Sequence, residues 1–133
     1  MEQLTVSTSQ TTELIDITAT IQSFVTNNNL VDGVLYIFCP HTTAGLTVNE
    51  NWDPDVRHDM LLTIDGDIVP PDKRHRHAEG NSPAHIKASL IGSSLPLLVE
   101  GGKVLLGRWQ GIYFAEFDGP RRRHIWLKFL KGA

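Results

Sequence analysis

Three imidazoles and a carboxylate crowd the stretch His75-Arg76-His77-Ala78-Glu79-Gly80-Asn81-Ser82-Pro83-Ala84-His85. Folding alone gives little reason for such a stretch, because it buries little apolar surface and gathers groups that repel one another once protonated. Imidazole and carboxylate are the ligands of a divalent metal site, and a zinc-type site wants three or four of them. The spacing gives the stretch a shape. Ser82 followed by Pro83 is a helix start: serine caps free amides, and proline at the first position gives up a donor the helix does not need. The pattern predicts a short helix from Pro83 to Ile91, stopped at Gly92, with Ile86 and Leu90 on one buried face. His85 then lies in the first turn, where the helix dipole favours the neutral, metal-ligating ring. His77 precedes it in a loop that Gly80 can turn sharply, so that both rings converge. His75 shares the stretch, with no role that the spacing assigns to it.

The best third imidazole is His41, in Cys39-Pro40-His41-Thr42-Thr43, where a buried strand hands its last side chain to a loop and Pro40 stiffens the exit. Glu50-Asn51-Trp52-Asp53-Pro54-Asp55 brings three carboxylates together. Asp53 reads as a helix N-cap and Asp55 as a complement to the helix dipole. Glu50 has no such duty; beside imidazoles it would orient a ligand, act as a base or help to hold Mg²⁺. Glu116-Phe117-Asp118-Gly119-Pro120-Arg121 is a strand end entering a turn. Arg121, nearest that turn, and the amides at the helix start before His85 suit phosphate oxygens. Arg122 and Arg123 read as well as a solvated edge strand. Trp109 reads as core or subunit interface, and His58 and His124 as surface or edge residues. The one cysteine, Cys39, lies in an apolar run and reads as a buried structural thiol.

These side chains need a scaffold, and the composition bounds it. A chain of 133 residues, 41% apolar, suffices for one domain over residues 1–133 with a proper core. No run reaches the length of a membrane span, and the polar start Met1 to Gln10 lacks a signal pattern, so no membrane partner and a cytoplasmic location are expected. A net charge of −3 and a pI near 6.0 argue against general nucleic-acid binding. Leu4 to Ser7 and Glu13 to Ile17 read as short strands, and Ile17, Ile21, Phe24 and Val25 as a helical face. Val34 to Cys39 is a buried strand, and Leu46 to Asn49 resumes extended structure after the turn Thr42-Thr43-Ala44-Gly45. Asp53-Pro54 opens a second helix with Val56, Met60, Leu61 and Ile64 on one face. After a loop over 65–82 and the helix of His85 come Leu95 to Val99, Val104 to Leu106, Ile112 to Phe117 and Ile125 to Leu130, close-spaced strands that imply hairpins. The class is α+β: a curved antiparallel β-sheet or barrel with two to three helices.

The run Ser94-x-x-Leu97-x-Val99-x-x-Gly102-x-x-x-x-Gly107-Arg108-Trp109-Gln110-x-Ile112 resembles the signature of the YjbQ-like proteins, a family associated with secondary thiamine-phosphate synthase activity. His41-Thr42-Thr43-Ala44-Gly45-Leu46-Thr47, Asn49-Glu50-Asn51-x-Asp53-Pro54-Asp55-Val56, His77-x-Glu79-Gly80-Asn81 through Ala84-His85, and Asp118-Gly119-Pro120-Arg121-x-Arg123 resemble it in the same order. No departure removes a candidate ligand. The resemblance implies a barrel-like antiparallel sheet, a homotrimer and a metal-compatible pocket near the histidines. It implies an activity as well: hydroxymethylpyrimidine pyrophosphate joined to thiazole phosphate, with release of pyrophosphate. On that reading a divalent metal, Zn or Mg, sits on His41, His77 and His85. Glu50, Glu79 and Asp118 form the catalytic set, while Asn81, Arg121 and Arg123 hold the phosphorylated small-molecule substrate. The same residues would serve a metal-dependent hydrolase of a phosphorylated small molecule, or a non-catalytic trimeric binding protein.

Overall fold

A computed structural model describes all residues 1–133. The order is β1 (Glu2–Ser7), β2 (Glu13–Asp16), α1 (Thr18–Asn27), β3 (Gly33–Phe38), β4 (Ala44–Glu50), α2 (Pro54–Thr63), α3 (Ser82–Ile91), β5 (Ser94–Glu100), β6 (Lys103–Val104), β7 (Gln110–Glu116) and β8 (Arg122–Lys131). A wider π-type turn, Ile64–Ile68, prolongs α2. All pairings are antiparallel, in a five-stranded sheet β1-β8-β3-β5-β6 and a three-stranded sheet β2-β7-β4. With three helices and a sheet curled into a half-barrel, the fold is the expected α+β class. No helix is long and apolar enough to cross a membrane.

The alternation along β7 organises the interior. Ile112 and Phe114 face a core shared with the five-stranded sheet and α1, while Tyr113 and Ala115 face a second cluster beneath α2 and α3. A strand buried on both faces must read as an unbroken apolar run, which explains the sequence from Ile112 to Ala115. Cys39 is buried in the main core, and burial pushes its thiol up to about 11, so it is an inert structural group.

Two sequence expectations about packing are corrected. Helix α3 buries Ala84, Lys87 and Ala88 and turns Ile86 and Leu90 outward. The alanines let α3 lie close to the sheet: a Cβ on Gly45 of β4 would stand 2.5 Å from the Gly92 carbonyl at the end of α3. Lys87 tolerates burial because its Nζ meets Asp65 Oδ1 at 2.6 Å. Strand β8 is not an edge, since it lies between β1 and β3, and Arg123 is 5% exposed.

Candidate functional site

Three chain segments meet around a cleft of about 460 Å³: the β3–β4 connection, the loop and first turn of α3, and the β7–β8 turn with the start of β8. The β3 exit brings His41 and the loop brings His77, Glu79 and Asn81; α3 adds His85, the turn adds Asp118 and Arg121, and the start of β8 adds Arg123. Gly80 makes the loop's bend at φ +71°, a conformation that side chains resist. His75 lies outside the cleft, on the flank it shares with Arg76, Ser82 and Ile86.

Glu50 is the one expected site residue that the fold does not bring here. It ends β4 opposite Gln110, whereas the cleft end of that ladder pairs Ala44 with Glu116. Six residues of strand put the two ends about 20 Å apart. The Glu50 backbone carbonyl accepts a hydrogen bond from the Tyr113 hydroxyl at 2.9 Å. Both ends of a strand look alike in sequence, so the distance of Glu50 from the imidazoles is not legible there.

A buried ion pair underlies the cleft. Glu116, 0% exposed, accepts from Arg123 Nε (2.8 Å) and Nη2, from Thr8 Oγ1 (2.8 Å), and from the amides of Phe117 and Asp118 (both 3.1 Å). Burial alone would raise its pKa, but this ring of donors outweighs burial and holds the carboxyl below its ordinary value. Arg123 Nη2 also donates to Thr43 Oγ1 at 2.8 Å, which leaves Nη1 as the end of the guanidinium without a partner in the chain. Arg123 is therefore a buried strut that still lines the cleft, not a solvated strand residue. Glu116, Thr43 and Thr8 escape the sequence reading. The available signal is a lone carboxylate inside the apolar run Ile112 to Phe117.

The rim is tied together by Asp118. Its Oδ2 accepts from Asn81 Nδ2 and from Arg121 Nη2, each at 2.9 Å, and Arg121 Nε donates to the Asp118 carbonyl at 2.8 Å. Burial would raise the Asp118 pKa; the bonds from Asn81 and Arg121 outweigh it and keep the group below the usual carboxylate range. A carboxylate so engaged positions Arg121 and Asn81 at the rim. Asn81, not Ser82, stands at the N-cap of α3, and its side chain does not cap the helix. Its Nδ2 reaches Asp118 instead, and its Oδ1 is buried without a partner.

His77 and His85 meet edge to face, ring centroids 5.3 Å apart. Glu79 is exposed, its Oε2 3.9 Å from His77 Nε2. His41 stacks on His124 at 6.2 Å, and its Nε2 accepts the His124 backbone N–H at 2.9 Å. Burial first, then the charges of Arg123 and His124, push the His41 pKa below its ordinary value. His124, expected at the surface, is thus half-buried support for the site.

A resident metal on His41, His77 and His85 does not fit these residues. No three His, Cys, Asp or Glu side chains converge closely enough to hold an ion. A neutral imidazole has one lone pair, and that of His41 is engaged by the His124 amide. Metal-bound histidine uses its other ring nitrogen as a donor, the reverse of this arrangement.

Fold and site together define an α+β protein of two packed antiparallel sheets, with a cleft of imidazoles and guanidiniums over a buried ion pair. Residues 2–132 match the family described as "UPF0047 protein YjbQ-like", and the chain belongs to that family. It is 45% identical over 130 residues to the UPF0047 protein YugU of Bacillus subtilis, covering 98% of each chain. Against the UPF0047 protein MJ1081 of Methanocaldococcus jannaschii it is 48% identical over 125 residues, 94% of this chain and 90% of the other. A crystal structure of an uncharacterised conserved protein of the YjbQ/UPF0047 family from Clostridium acetobutylicum is similar at TM-score 0.93 and 48% identity, covering 98% of this chain and 100% of that one. The conserved hypothetical protein TT1486 of Thermus thermophilus is similar at TM-score 0.90 and 41% identity, over 98% and 100%.

Proposed function

We propose that the cleft binds the phosphoryl or pyrophosphoryl group of a small molecule and that the chain is a transferase of the thiamine-phosphate synthase type. The observation that carries this reading is local charge: Arg121, Arg123 and three imidazoles share one cleft in a chain of net charge −3. An anion site of this kind acts through near neighbours, whatever the sign of the whole molecule. In the reaction, the thiazole ring nitrogen bonds to the pyrimidine methylene carbon as the methylene–oxygen bond breaks. Pyrophosphate leaves with the electron pair, and guanidinium and N–H donors at its oxygens lower the barrier. The divalent ion of this proposal is magnesium carried in on the pyrophosphate, since Mg²⁺ binds through substrate phosphates more readily than through all-protein cages. The free, buried Cys39 accords with a cytoplasmic protein.

A homotrimer belongs to the same proposal. Tyr36, Phe38, Leu98, Trp126 and Leu130 are exposed on the outer face of the five-stranded sheet, and Phe38 stacks on Trp126 at 5.8 Å. An apolar stripe of that kind marks an interaction surface. Light scattering should give a particle three times the 14.8 kDa chain.

Product analysis on the two phosphorylated precursors, with and without Mg²⁺, tests the chemistry. The expected result is slow, magnesium-dependent formation of thiamine monophosphate. Arg121→Ala should weaken inorganic phosphate binding by about 1.5–3 kcal/mol in calorimetry, the range for a hydrogen bond to a charged group. Phosphate release without the joined product would make the chain a hydrolase; binding without turnover would make it a binding protein.

A further inference from the structure

We propose that His41 is a fixed Nδ1–H donor to the anion in the cleft, set in that tautomer by the backbone amide of His124, and is not a metal ligand. The inference rests on the anion-site reading above and deepens it by assigning His41 a specific role there.

The cause lies where a ladder ends. Strand β3 pairs with β8 only as far as Phe38 opposite Trp126, because Pro40 then carries the chain away. Further along β8 in the same pairing frame, His124 offers an N–H for which the ladder supplies no carbonyl. A buried amide without an acceptor is costly, and the His41 ring meets the need: its Nε2 lies 2.9 Å from that nitrogen. An N–H can only donate, so Nε2 must be the bare nitrogen. The single proton of the neutral ring is then on Nδ1.

Nδ1 is left open: it has no hydrogen-bond partner in the chain and is not buried, and His41 lines both the cleft it shares with Arg121, Arg123 and His85 and the adjoining hollow with Thr42, His85 and Ser89. Arg123, with Nη1 to spare, would repel a cationic ring beside it, and burial disfavours that charge too. A neutral N–H next to a guanidinium is a combination suited to an anionic oxygen and unsuited to a second cation. The ring is held on both sides, by the amide at Nε2 and by stacking on His124, so no reorganisation is needed when the anion arrives.

The test has two arms on the intact protein. Nitrogen-15 NMR of the imidazoles at pH 7.5, with and without added zinc, is expected to show His41 protonated at Nδ1 and bare at Nε2, unmoved by zinc. A proton on Nε2, or a zinc-induced shift at Nδ1, would overturn the proposal. In the second arm, inorganic phosphate is titrated into the parent, His41→Asn and His41→Gln. The asparagine amide can donate from near the Nδ1 position, whereas the glutamine carbonyl can accept the His124 N–H but leaves nothing at Nδ1. His41→Asn should hold the phosphate Kd within about threefold, and His41→Gln should raise it roughly tenfold or more. Equal losses in the two variants, or none in either, would overturn the donor role while parent binding keeps the anion site standing. A parent that does not bind phosphate would remove the anion site itself, and the donor role with it.

Discussion

The ladder of β4 and β7 has polar groups at both ends, yet only one end gathers the candidate site residues. At the far end, Asp53 Oδ1 caps α2 through the Asp55 amide at 2.9 Å, Asn51 Nδ2 meets Asp16 Oδ2 at 3.0 Å, and Arg57 Nη2 donates to the Tyr113 hydroxyl at 3.1 Å. These groups answer one another except at Arg57 Nε, which has no partner but is sealed from solvent, whereas the spare nitrogens at the cleft end are open. Trp52 and Trp109 stand outside them in edge contact at 5.6 Å, with Arg108 over the Trp109 ring, so Trp109 is no core residue. At the cleft end, Arg123 and His41 each keep one nitrogen without a partner after their structural bonds are counted. Chemistry needs residues with capacity left over in a concave place, and residue type alone does not distinguish the two ends.

The largest expected effect comes from breaking the support of the cleft end. Arg123→Ala leaves Glu116 buried and unpaired, which should cost about 3–5 kcal/mol in denaturant unfolding. The pH dependence sharpens this. In the parent, the Glu116 carboxyl titrates below its ordinary value of 4.5, so its contribution is complete above that pH and is lost as the pH falls through the lower folded value. In Arg123→Ala the carboxyl loses its cation but keeps Thr8 and two amides, so it should titrate higher than in the parent. The stability gap between parent and variant should then narrow as acid neutralises it. A gap that widens on acidification would show that the pair is not what holds this end together.

What can be read from the sequence, and what cannot, divides along the same line. His77, Gly80 and His85 are legible because a glycine turn and a helix start act locally, and His41 because Pro40 ends its strand. The α3 face misleads because its packing depends on Gly45 of β4 and on Asp65, both remote in sequence. Arg123 misleads for a related reason: a buried charge is intelligible only with its partner, and Glu116 lies across a turn on another strand. The tautomer of His41 depends on where the β3–β8 ladder stops, which no local pattern displays.

The smallest effect is expected at Glu50, and it probes the comparison most directly. Its side chain makes no hydrogen bond, and it stands about 20 Å along β4 from the cleft. Glu50→Gln should therefore change unfolding free energy by no more than about 0.5 kcal/mol, as for a surface position without partners. Phosphate affinity in calorimetry and product formation should match the parent within error. One outcome would break the contrast between the two ends: turnover falls in Glu50→Gln and is restored when that variant is mixed with Arg121→Ala. Restoration requires an intact Glu50 end of one copy beside an intact cleft of the next, as in a ring of heterologous contacts. Without restoration, a loss confined to turnover would mean that Glu50 acts on its own cleft through the strand that joins them.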